Sequence, residues 1–422
     1  MTDSGVWFAP GRANLMGEHT DYNDGFVLPF ALKQGATATA RRRADQMIAL
    51  TSRQRPGPEI VLDVSALVPG DVEGWAAYPA GVAWALREAG YDFPGATIAI
   101  DSDVPAGAGL SSSAALECAV ALALTGLAGL DVLGPELVAI ARRAENEFAG
   151  VPTGIMDQSA SLLCTAGHAL LLDCQSLQTT QVPFEAHLLV IDTRAEHKLG
   201  EGEYAARRSE CEEAARELSV PSLRFITDCG DTARLADPVL RRRARHVCTD
   251  DQRVLRAVSL LGDGRLAEVG ELLTQAHASL RDDFEVSWPQ ADVAVEAALS
   301  AGALGARMIG GGFGGSVLAL VPTPQPAPAG AGTAGAGTAG AAADGAGTDG
   351  PAPHAAGTDG ARAAALIRDA ITAAYAARGW TLPQFYDAFP SAGCCDVGGS
   401  PSGSLVLALG VAAVLVRRRA RS

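Results

Sequence analysis

The sequence predicts a mixed protein of strands and helices that is long enough to form two domains. The chain has 422 residues, of which 48% are hydrophobic, so it can bury a sizeable core. In Ala96 to Val104, isoleucines alternate with polar residues, which is typical of a strand. A glycine-rich loop follows this strand, and the apolar run after the loop, Ala114 to Leu124, is long enough for a helix.

The loop between this strand and this helix, Pro105 to Ala115, reads PAGAGLSSSAA. Gly107 and Gly109 lack a Cβ atom, so the backbone can turn sharply there and approach a ligand closely. The three serines that follow stand where the helix should begin, and their hydroxyls can cap its free amides. Free amides at a helix N-terminus favour an anion, usually phosphate. The loop is not a Walker A motif, and the alternative is a glycine-rich turn before a capped helix with no ligand.

Charge and cysteine spacing argue against several classes of protein. The net charge of −15 argues against a general nucleic-acid binder, because such proteins present basic surface. The eight cysteines form no CxxC pair, no zinc spacing and no disulfide pattern, which suggests a reducing compartment. Met1 to Trp7 has neither the basic start nor the apolar segment of a signal peptide. We therefore expect a cytoplasmic protein that binds no nucleic acid.

The first polar segment, Ala9 to Pro29, reads APGRANLMGEHTDYNDGFVLP. It is too polar and too rich in glycine for a core strand and has no helical period, so we predict a hairpin or loop that lines a cleft. Its arginine, glutamate, histidine and aspartates offer the donors and acceptors that the hydroxyls of a sugar require. For any one of these residues alone, a solvated turn with ordinary ion pairs is the alternative.

This segment resembles the galactokinase signature, G-R-x-N-[LIVM]-x-G-E-H-x-D-Y, and the loop at Pro105 resembles the phosphate loop of the GHMP kinases. Ala303 to Val321, ALGARMIGGGFGGSVLALV, is similar to the third motif of that superfamily, whose glycines would let the backbone pass close to the phosphate loop. The resemblance covers roughly residues 6–321, with weaker traces to about 393. It implies an α+β fold of two domains, a mixed-sheet N-terminal domain and a ferredoxin-like C-terminal domain, with the active site between them.

The remaining elements follow from hydrophobic periodicity and from proline and glycine positions. We place the N-terminal domain at residues 1–180. Its further strands are predicted at 26–40, 47–50 and 60–64, and its further helices at 75–89 and 135–149. We place the C-terminal domain at residues 181–393, opening with the buried strand His187 to Thr193. A mainly helical segment is predicted at 218–261, a strand at 317–321, a helix at 362–378 and a closing strand at 385–393.

Two segments depart from the family. Pro322 to Gly360 is mostly alanine, glycine, threonine and proline and cannot bury enough surface to offset ordering, so we expect a disordered insertion at 322–360. Residues 394–422 form an atypical tail with a short apolar run, Leu405 to Val416, followed by arginines, the layout of a bacterial sorting tail. This run is shorter than the about 20 residues that a bilayer span needs. Membrane contact through the tail is the less favoured alternative, and we expect a monomer.

The string GVPTGIMDQSAS, Gly150 to Ser161, contains one carboxylate, Asp157. By itself Asp157 would be a helix N-cap or a turn residue, but the same string carries the family's catalytic aspartate. The resemblance therefore implies that Asp157 and Arg12 are catalytic, with Arg12 keeping Asp157 ionised. The sugar-binding residues that it implies are Glu18, His19, Asp21, Gly154, Asp157 and Tyr204. The implied ATP-binding residues are Gly107, Ala108, Gly109, Leu110, Ser111, Ser112 and Ser113, and the implied Mg²⁺ ligands are Ser112 and Glu145.

The activity that the resemblance implies is phosphoryl transfer from ATP, with Mg²⁺, to the anomeric hydroxyl of galactose, which gives galactose 1-phosphate and ADP. Such a transfer needs mainly positioning and charge neutralisation. A buried site that binds hydroxyls rejects analogues without them, so the many polar residues suggest one sugar stereoisomer. Two alternatives are left open: a kinase for N-acetylgalactosamine or another hexose, and a non-catalytic sensor that binds galactose and ATP.

Overall fold

The computed structural model describes residues 2–105, 107–195, 200–322 and 356–394. The N-terminal half is built on a five-stranded sheet in the order β1-β3-β6-β4-β5. The sheet is mixed, because β4 runs parallel to β6 and the other pairs are antiparallel. The first six strands are β1 (Ser4–Asn14), β2 (Phe26–Val27), β3 (Pro29–Arg42), β4 (Met47–Ser52), β5 (Ile60–Asp63) and β6 (Ala96–Ser102).

Helices cover this sheet and carry the central motifs. They are α1 (Ala77–Glu88), α2 (Ser112–Ala128), α3 (Gly134–Arg143) and α4 (Met156–Leu163). Helix α2 packs against β1 and β3, and its many alanines allow close approach. A single π-helical turn, Ala144–Phe148, follows α3. Because α2 begins directly after the glycine-rich loop, its packing on β1 fixes that loop next to the sugar-signature segment.

Two further sheets complete the strands. A three-stranded sheet has the order β2-β7-β8, and a four-stranded antiparallel sheet has the order β10-β11-β9-β12. Their strands are β7 (His168–Asp173), β8 (Thr179–Pro183), β9 (Leu188–Asp192), β10 (Gly305–Ile309), β11 (Ser316–Leu320) and β12 (Gln384–Ala388). In chain order the strands of the four-stranded sheet are β9, β10, β11 and β12, with helices between β9 and β10 and between β11 and β12. This connection and the strand order in the sheet are those of a ferredoxin-like domain.

The helices of the C-terminal half are α5 (Gly200–Glu217), α6 (Pro238–Gly262), α7 (Leu266–Asp282), α8 (Pro289–Ser300) and α9 (Ala356–Ala376). Two large hydrophobic clusters form the core. One joins the five-stranded sheet to α1, α2 and α3, and the other lies around the four-stranded sheet and α8 and α9. The α+β fold, with one mixed and one ferredoxin-like sheet, is confirmed; the domain boundaries near residue 180 stay a prediction.

The structure corrects the prediction for Ala9 to Pro29. Residues 9–14, predicted to be too polar for a core strand, form the buried second half of β1, which pairs antiparallel with β3 as in a hairpin. The register shifts between Pro10 and Arg12, and a Cβ atom on Gly11 would lie 2.6 Å from the carbonyl oxygen of Leu110. The glycine that made the segment look like a loop instead lets the strand pass against the phosphate loop.

Three other predictions are affected. Residues 356–360, predicted to belong to the disordered insertion, form the first turn of α9, while 323–355 lie outside the described residues.

A disulfide joins Cys229 and Cys248, although the sequence shows no disulfide pattern. The turn Cys229–Arg234 packs on α6 and brings the two Cα atoms to 5.7 Å. The tail beyond Cys394 lies outside the described residues. Among the described helices, none is long and apolar enough to cross a membrane.

Candidate active site

A cavity of about 950 Å³ lies where the two halves of the chain meet. Its lining comes from segments that are far apart in sequence: the sugar-signature segment, the segment before α4, the start of α5 and the glycine turn after β10. The lining residues are Arg12, Glu18, His19, Asp21, Gly150, Val151, Pro152, Thr153, Gly154, Met156, Asp157, Gly202, Tyr204, Gly310, Gly311, Gly312 and Phe313. The cavity thus contains both predicted catalytic residues and every predicted sugar-binding residue.

Arg12 and Asp157 form an ion pair at the border of this cavity. Nε and Nη2 of Arg12 lie 2.8 Å and 2.7 Å from Oδ1 of Asp157, and Nη1 donates to the carbonyl oxygen of Gly109 at 2.7 Å. Burial lowers the pKa of Arg12, but the neighbouring carboxylates of Asp157 and Glu18 outweigh it and raise the pKa above its usual value. The guanidinium is therefore fixed as a cation between the cavity and the phosphate loop.

The second oxygen of Asp157 accepts a hydrogen bond from Ser111. The hydroxyl of Ser111 donates to Oδ2, and its backbone is left-handed, with φ of 58°. The prediction that Ser111 caps α2 through its side chain is therefore wrong, since no cap hydrogen bond forms there. The loop geometry that the glycines predict is confirmed, because Gly107 and Gly109 have φ of 77° and 71°.

The third motif lies against the phosphate loop, as the sequence predicts. A Cβ atom on Gly109 would lie 3.8 Å from the carbonyl oxygen of Ile309, and the hydroxyl of Ser316 donates to the carbonyl oxygen of Ala108 at 2.7 Å. The phosphate-loop residues 107–113 are not in the lining of the cavity itself. Arg12 and Asp157 line the cavity and contact Gly109 and Ser111, so they connect it to the loop.

Glu18 is almost fully buried at the side of the cavity. Its Oε1 accepts from the backbone amide of Gly310 at 2.9 Å and lies 2.8 Å from Nη2 of Arg307. Burial raises the pKa of Glu18 by more than the charges of Arg307 and Arg12 lower it, so the net pKa lies above the usual value. Glu18 is thus a hydrogen-bonding carboxyl group whose charge depends on these two arginines.

His19 is neutral in this environment. Burial, followed by the proximity of His246, lowers the pKa of His19 to about 3. Its Nδ1 lies 2.9 Å from the hydroxyl of Tyr22, while Nε2 has no hydrogen-bond partner among the described residues. The ring of Tyr204 lies 5.5 Å from that of His19. A buried polar nitrogen without a partner, in the wall of a cavity, is available to a ligand hydroxyl.

Asp21 lies against the backbone of Gly154. A Cβ atom at Gly154 would lie 1.8 Å from Oδ2 of Asp21, so only glycine fits there. Burial raises the pKa of Asp21 to about 6, and the nearby carboxylates of Asp157 and Glu18 add to the effect. The structure therefore brings the predicted residues Asp21 and Gly154 into direct contact, although 133 positions separate them in the sequence.

Glu145 belongs to a buried group of carboxyl side chains. Its Oε2 accepts from the hydroxyl of Thr153 at 2.8 Å and from the amide of Gln158 at 2.7 Å. The same amide lies 3.1 Å from Oε2 of Glu117, which is fully buried. Burial, then the charge of Asp157, raises the pKa of Glu145, while hydrogen bonds from Ser113, Thr153 and Gln158 lower it. A bound cation would relieve this crowding of acids.

The two predicted metal ligands differ in their surroundings, and their role stays a prediction. Ser112 is exposed at the first residue of α2, and the hydroxyl that bonds to Glu145 is that of Ser113. Carboxylate and hydroxyl oxygens are suitable Mg²⁺ ligands. Within residues 2–105, 107–195, 200–322 and 356–394, no group of three or more histidine, cysteine or acidic side chains is arranged to hold a metal. A Mg²⁺ ion that is held largely by nucleotide phosphates needs fewer than three protein ligands.

Several residues of the site were not found from the sequence. Glu117 and Arg307 each stand in an apolar run, and that position was the available signal, because a buried polar side chain needs a partner. Gln158 stands between Asp157 and Ser159, so its local sequence carries no such signal. Tyr22 belongs to the signature segment but was not assigned a role. Its hydroxyl holds His19, so its contribution depends on a contact within the segment that spacing alone does not reveal.

Comparison with known proteins agrees with this geometry at the level of class. The model of the GHMP kinases N terminal domain matches residues 77–165, and that of the GHMP kinases C terminal domain matches residues 257–339. A solved mevalonate kinase from Methanococcus jannaschii shares the fold with a TM-score of 0.56 at 18% identity, over 76% of this chain and 91% of that one. Fold and site together define a kinase of the GHMP class.

Within this class, the similarity extends to one family. The galactokinase galactose-binding signature matches residues 2–42. A galactokinase of Streptomyces coelicolor is 52% identical over 75% of this chain and 84% of its own length, and one of Mycobacterium tuberculosis is 47% identical over 74% and 88%. The structure of Lactococcus lactis galactokinase complexed with galactose matches with a TM-score of 0.80 at 32% identity, over 93% of this chain and 95% of that one. The chain belongs to the galactokinase family.

Proposed function

We propose that the protein catalyses ATP-dependent phosphorylation of the anomeric hydroxyl of α-D-galactose, which gives galactose 1-phosphate and ADP. The observation that carries this proposal is the buried Arg12–Asp157 pair, which lines the cavity and contacts the phosphate loop. A sugar bound in the cavity would present a hydroxyl to Asp157, while a nucleotide on the loop would present its terminal phosphate to Arg12. Family membership supports galactose as the sugar.

Asp157 is the proposed general base. Its Oδ1 is occupied by Arg12, so Oδ2, the oxygen that Ser111 contacts, would take the proton of the anomeric hydroxyl. The sugar oxygen attacks the γ-phosphorus of ATP, and the bond from that phosphorus to the β–γ bridging oxygen breaks. Arg12 contacts both Asp157 and Gly109 of the phosphate loop, and it would stabilise charge on the transferred group. A carboxylate is a much weaker base than the alkoxide of a sugar, so positioning supplies much of the rate.

The phosphate loop is proposed to bind ATP. Positive φ angles at Gly107 and Gly109 turn the backbone just before the N-terminus of α2, where free amides favour phosphate. Mg²⁺ would be held by Glu145 with a serine hydroxyl, Ser112 as predicted or Ser113 as the contact with Glu145 favours. When bound, the ion would neutralise charge on the ATP phosphates.

The residues of the sugar signature are proposed to bind galactose. Glu18 and Asp21 would accept hydrogen bonds from sugar hydroxyls, and the neutral His19 offers Nε2. The Tyr204 ring and the Gly154 backbone close two sides of the cavity. The disulfide between Cys229 and Cys248 removes the argument for a reducing compartment that rested on cysteine spacing. We propose a cytoplasmic location because ATP is the co-substrate, and a monomer remains our prediction.

The test is ADP release by the purified protein with galactose, N-acetylgalactosamine or glucose as the only sugar. The proposal expects galactose to give the highest kcat/KM, because a buried polar site rejects a wrong stereoisomer strongly. Higher kcat/KM with N-acetylgalactosamine would assign the enzyme to that sugar instead. Galactose binding without ADP release, in the presence of ATP and Mg²⁺, would support a sensor and contradict the proposed activity.

A further inference from the structure

Arg307 is a fully buried cation outside the sugar-signature segment. It lies on β10, in the run ALGARMI, and its relative exposure is 0%. A buried arginine is costly unless partners compensate for lost hydration, so its contacts indicate its role. The resemblance to the family gave a role only to the glycines near Arg307, which let the backbone pass close to the phosphate loop.

The guanidinium of Arg307 connects β10 to the sugar-signature segment. Its Nε donates to the carbonyl oxygen of Met308 at 2.9 Å, and its Nη1 donates to that of Leu15 at 3.1 Å. Its Nη2 lies 2.8 Å from Oε1 of Glu18, as an ion pair whose N–H is not aligned for a hydrogen bond. Two backbone contacts therefore fix the plane of the guanidinium, and the third nitrogen faces Glu18.

The same oxygen of Glu18 has a second fixed contact. The backbone amide of Gly310, three residues beyond Arg307, donates to Oε1 at 2.9 Å. Both contacts involve Oε1, and the side chain of Asn14 also interacts with the carboxyl group. Oε2 is the oxygen that neither Arg307 nor Gly310 contacts, and Glu18 lines the cavity. The charge of Arg307 lowers the pKa of Glu18 more than the charge of Arg12 does, and both oppose the effect of burial.

We propose that Arg307 is a positioning residue for sugar recognition, which holds the Glu18 carboxylate by Oε1 in one orientation and so directs Oε2 towards a galactose hydroxyl. This inference rests on the proposed function, because it takes galactose as the ligand of Glu18. If Arg307 acts in this way, β10 contributes to the affinity for the sugar. A purely structural Arg307, which only joins β10 to Leu15, would affect stability and not depend on Glu18.

A double-mutant cycle on galactose affinity separates the two roles. The variants are R307K, E18Q and R307K/E18Q in the full chain, with the galactose Kd measured by calorimetric titration. Lysine keeps the charge but lacks the planar fork that reaches Glu18 and two carbonyls together. We expect R307K to raise the Kd on the order of ten-fold with Glu18 present, and less than about two-fold in the E18Q background. Equal effects in both backgrounds would overturn the proposal.

A kinetic measurement decides the question if E18Q binds galactose too weakly for titration. R307K should raise the KM for galactose on the order of ten-fold and leave the KM for ATP within about two-fold, because Glu18 faces the sugar cavity and not the phosphate loop. A parallel rise in both KM values would show general damage and overturn the proposal. Thermal unfolding of each variant confirms that the compared proteins are folded.

Arg243 provides a matched control. Its side chain is 3% exposed and forms ion pairs with Glu210 at 2.6 Å and Glu285 at 2.7 Å, neither of which is a proposed sugar ligand. R243K should change galactose affinity equally with and without E18Q. If the wild-type protein binds no galactose, the proposed function fails together with this inference. If it binds galactose and the effects of Arg307 and Glu18 add independently, only this inference fails.

Discussion

At the scale of single residues, the missing side chain of Gly154 determines where Asp21 can lie. A Cβ atom there would lie 1.8 Å from Oδ2 of Asp21, so G154A must displace the carboxylate. We expect the galactose Kd of G154A to rise on the order of 10- to 100-fold, the value of one hydrogen bond to a charged group. Calorimetric titration measures this change.

Gly202 is the control for this substitution. It also lines the cavity, but a Cβ atom there would meet nothing within 4 Å, and the residue lies in α5. G202A should therefore leave galactose affinity close to that of the wild-type protein. If G154A bound galactose as tightly as G202A, Asp21 would not be a sugar ligand held by the Gly154 backbone.

A second prediction at this scale concerns Asp251, which accepts a hydrogen bond from the backbone amide of Phe26 at 2.8 Å. Burial raises the pKa of Asp251 to about 7, above its value in an unfolded chain. Between about pH 4 and pH 7 the folded protein holds a proton that the unfolded chain has lost, so stability falls as pH rises through this range. The contribution of one such group has an upper limit of about 1.4 kcal/mol per pH unit.

The variant D251N should flatten this pH dependence. Asparagine keeps an acceptor for the Phe26 amide and does not titrate, so the free energy of unfolding should fall less between pH 4 and pH 7 than in the wild-type protein. Urea unfolding at several pH values measures the slope. D131N, which removes an exposed carboxylate, is the control. An unchanged slope in D251N would contradict the account of Asp251.

At the scale of elements, the disulfide between Cys229 and Cys248 joins a short turn to α6. That helix also carries His246, whose Nε2 lies 3.1 Å from the carbonyl oxygen of Glu18. The disulfide closes a loop with a sequence separation of 19, and reducing it should lower the free energy of unfolding by about 2–4 kcal/mol, since the unfolded chain gains freedom.

The measurement is chemical unfolding with and without dithiothreitol. C229S should have the stability of the reduced protein and show no further effect of reductant. C174S, at a buried free cysteine, should keep the response of the wild-type protein. If the wild-type protein were insensitive to reductant, Cys229 and Cys248 would not be joined in solution.

The elements themselves were largely predictable from the sequence. The strand Ala96–Ser102, the glycine-rich loop and the helix Ser112–Ala128 follow from periodicity and from glycine positions, which are local properties. The strand at residues 9–14 was missed because its polar side chains find partners in other parts of the chain. Arg12, for example, is compensated by Asp157, and such long-range pairs cannot be read from local composition.

At the scale of the whole molecule, the site forms because separate segments converge. The sequence motifs indicated which residues meet in the cavity, but not how they contact one another. Ser111 was expected to cap α2 and instead donates to Asp157, and Arg307, to which the sequence assigned no role, pairs with Glu18. Contacts of this kind depend on how the two halves pack, which spacing along the chain does not determine.

The central claim is that Asp157, paired with Arg12, takes the proton from a sugar hydroxyl that faces ATP. D157N tests it, because asparagine keeps the shape and an acceptor for Arg12 but is not a base. The decisive measurement is the kcat of ADP release with galactose, beside the galactose Kd of the same preparation. We predict that kcat falls by at least about 100-fold, the usual contribution of a general base, while the Kd changes only a few-fold. A D157N enzyme with a kcat close to that of the wild-type protein would contradict the account.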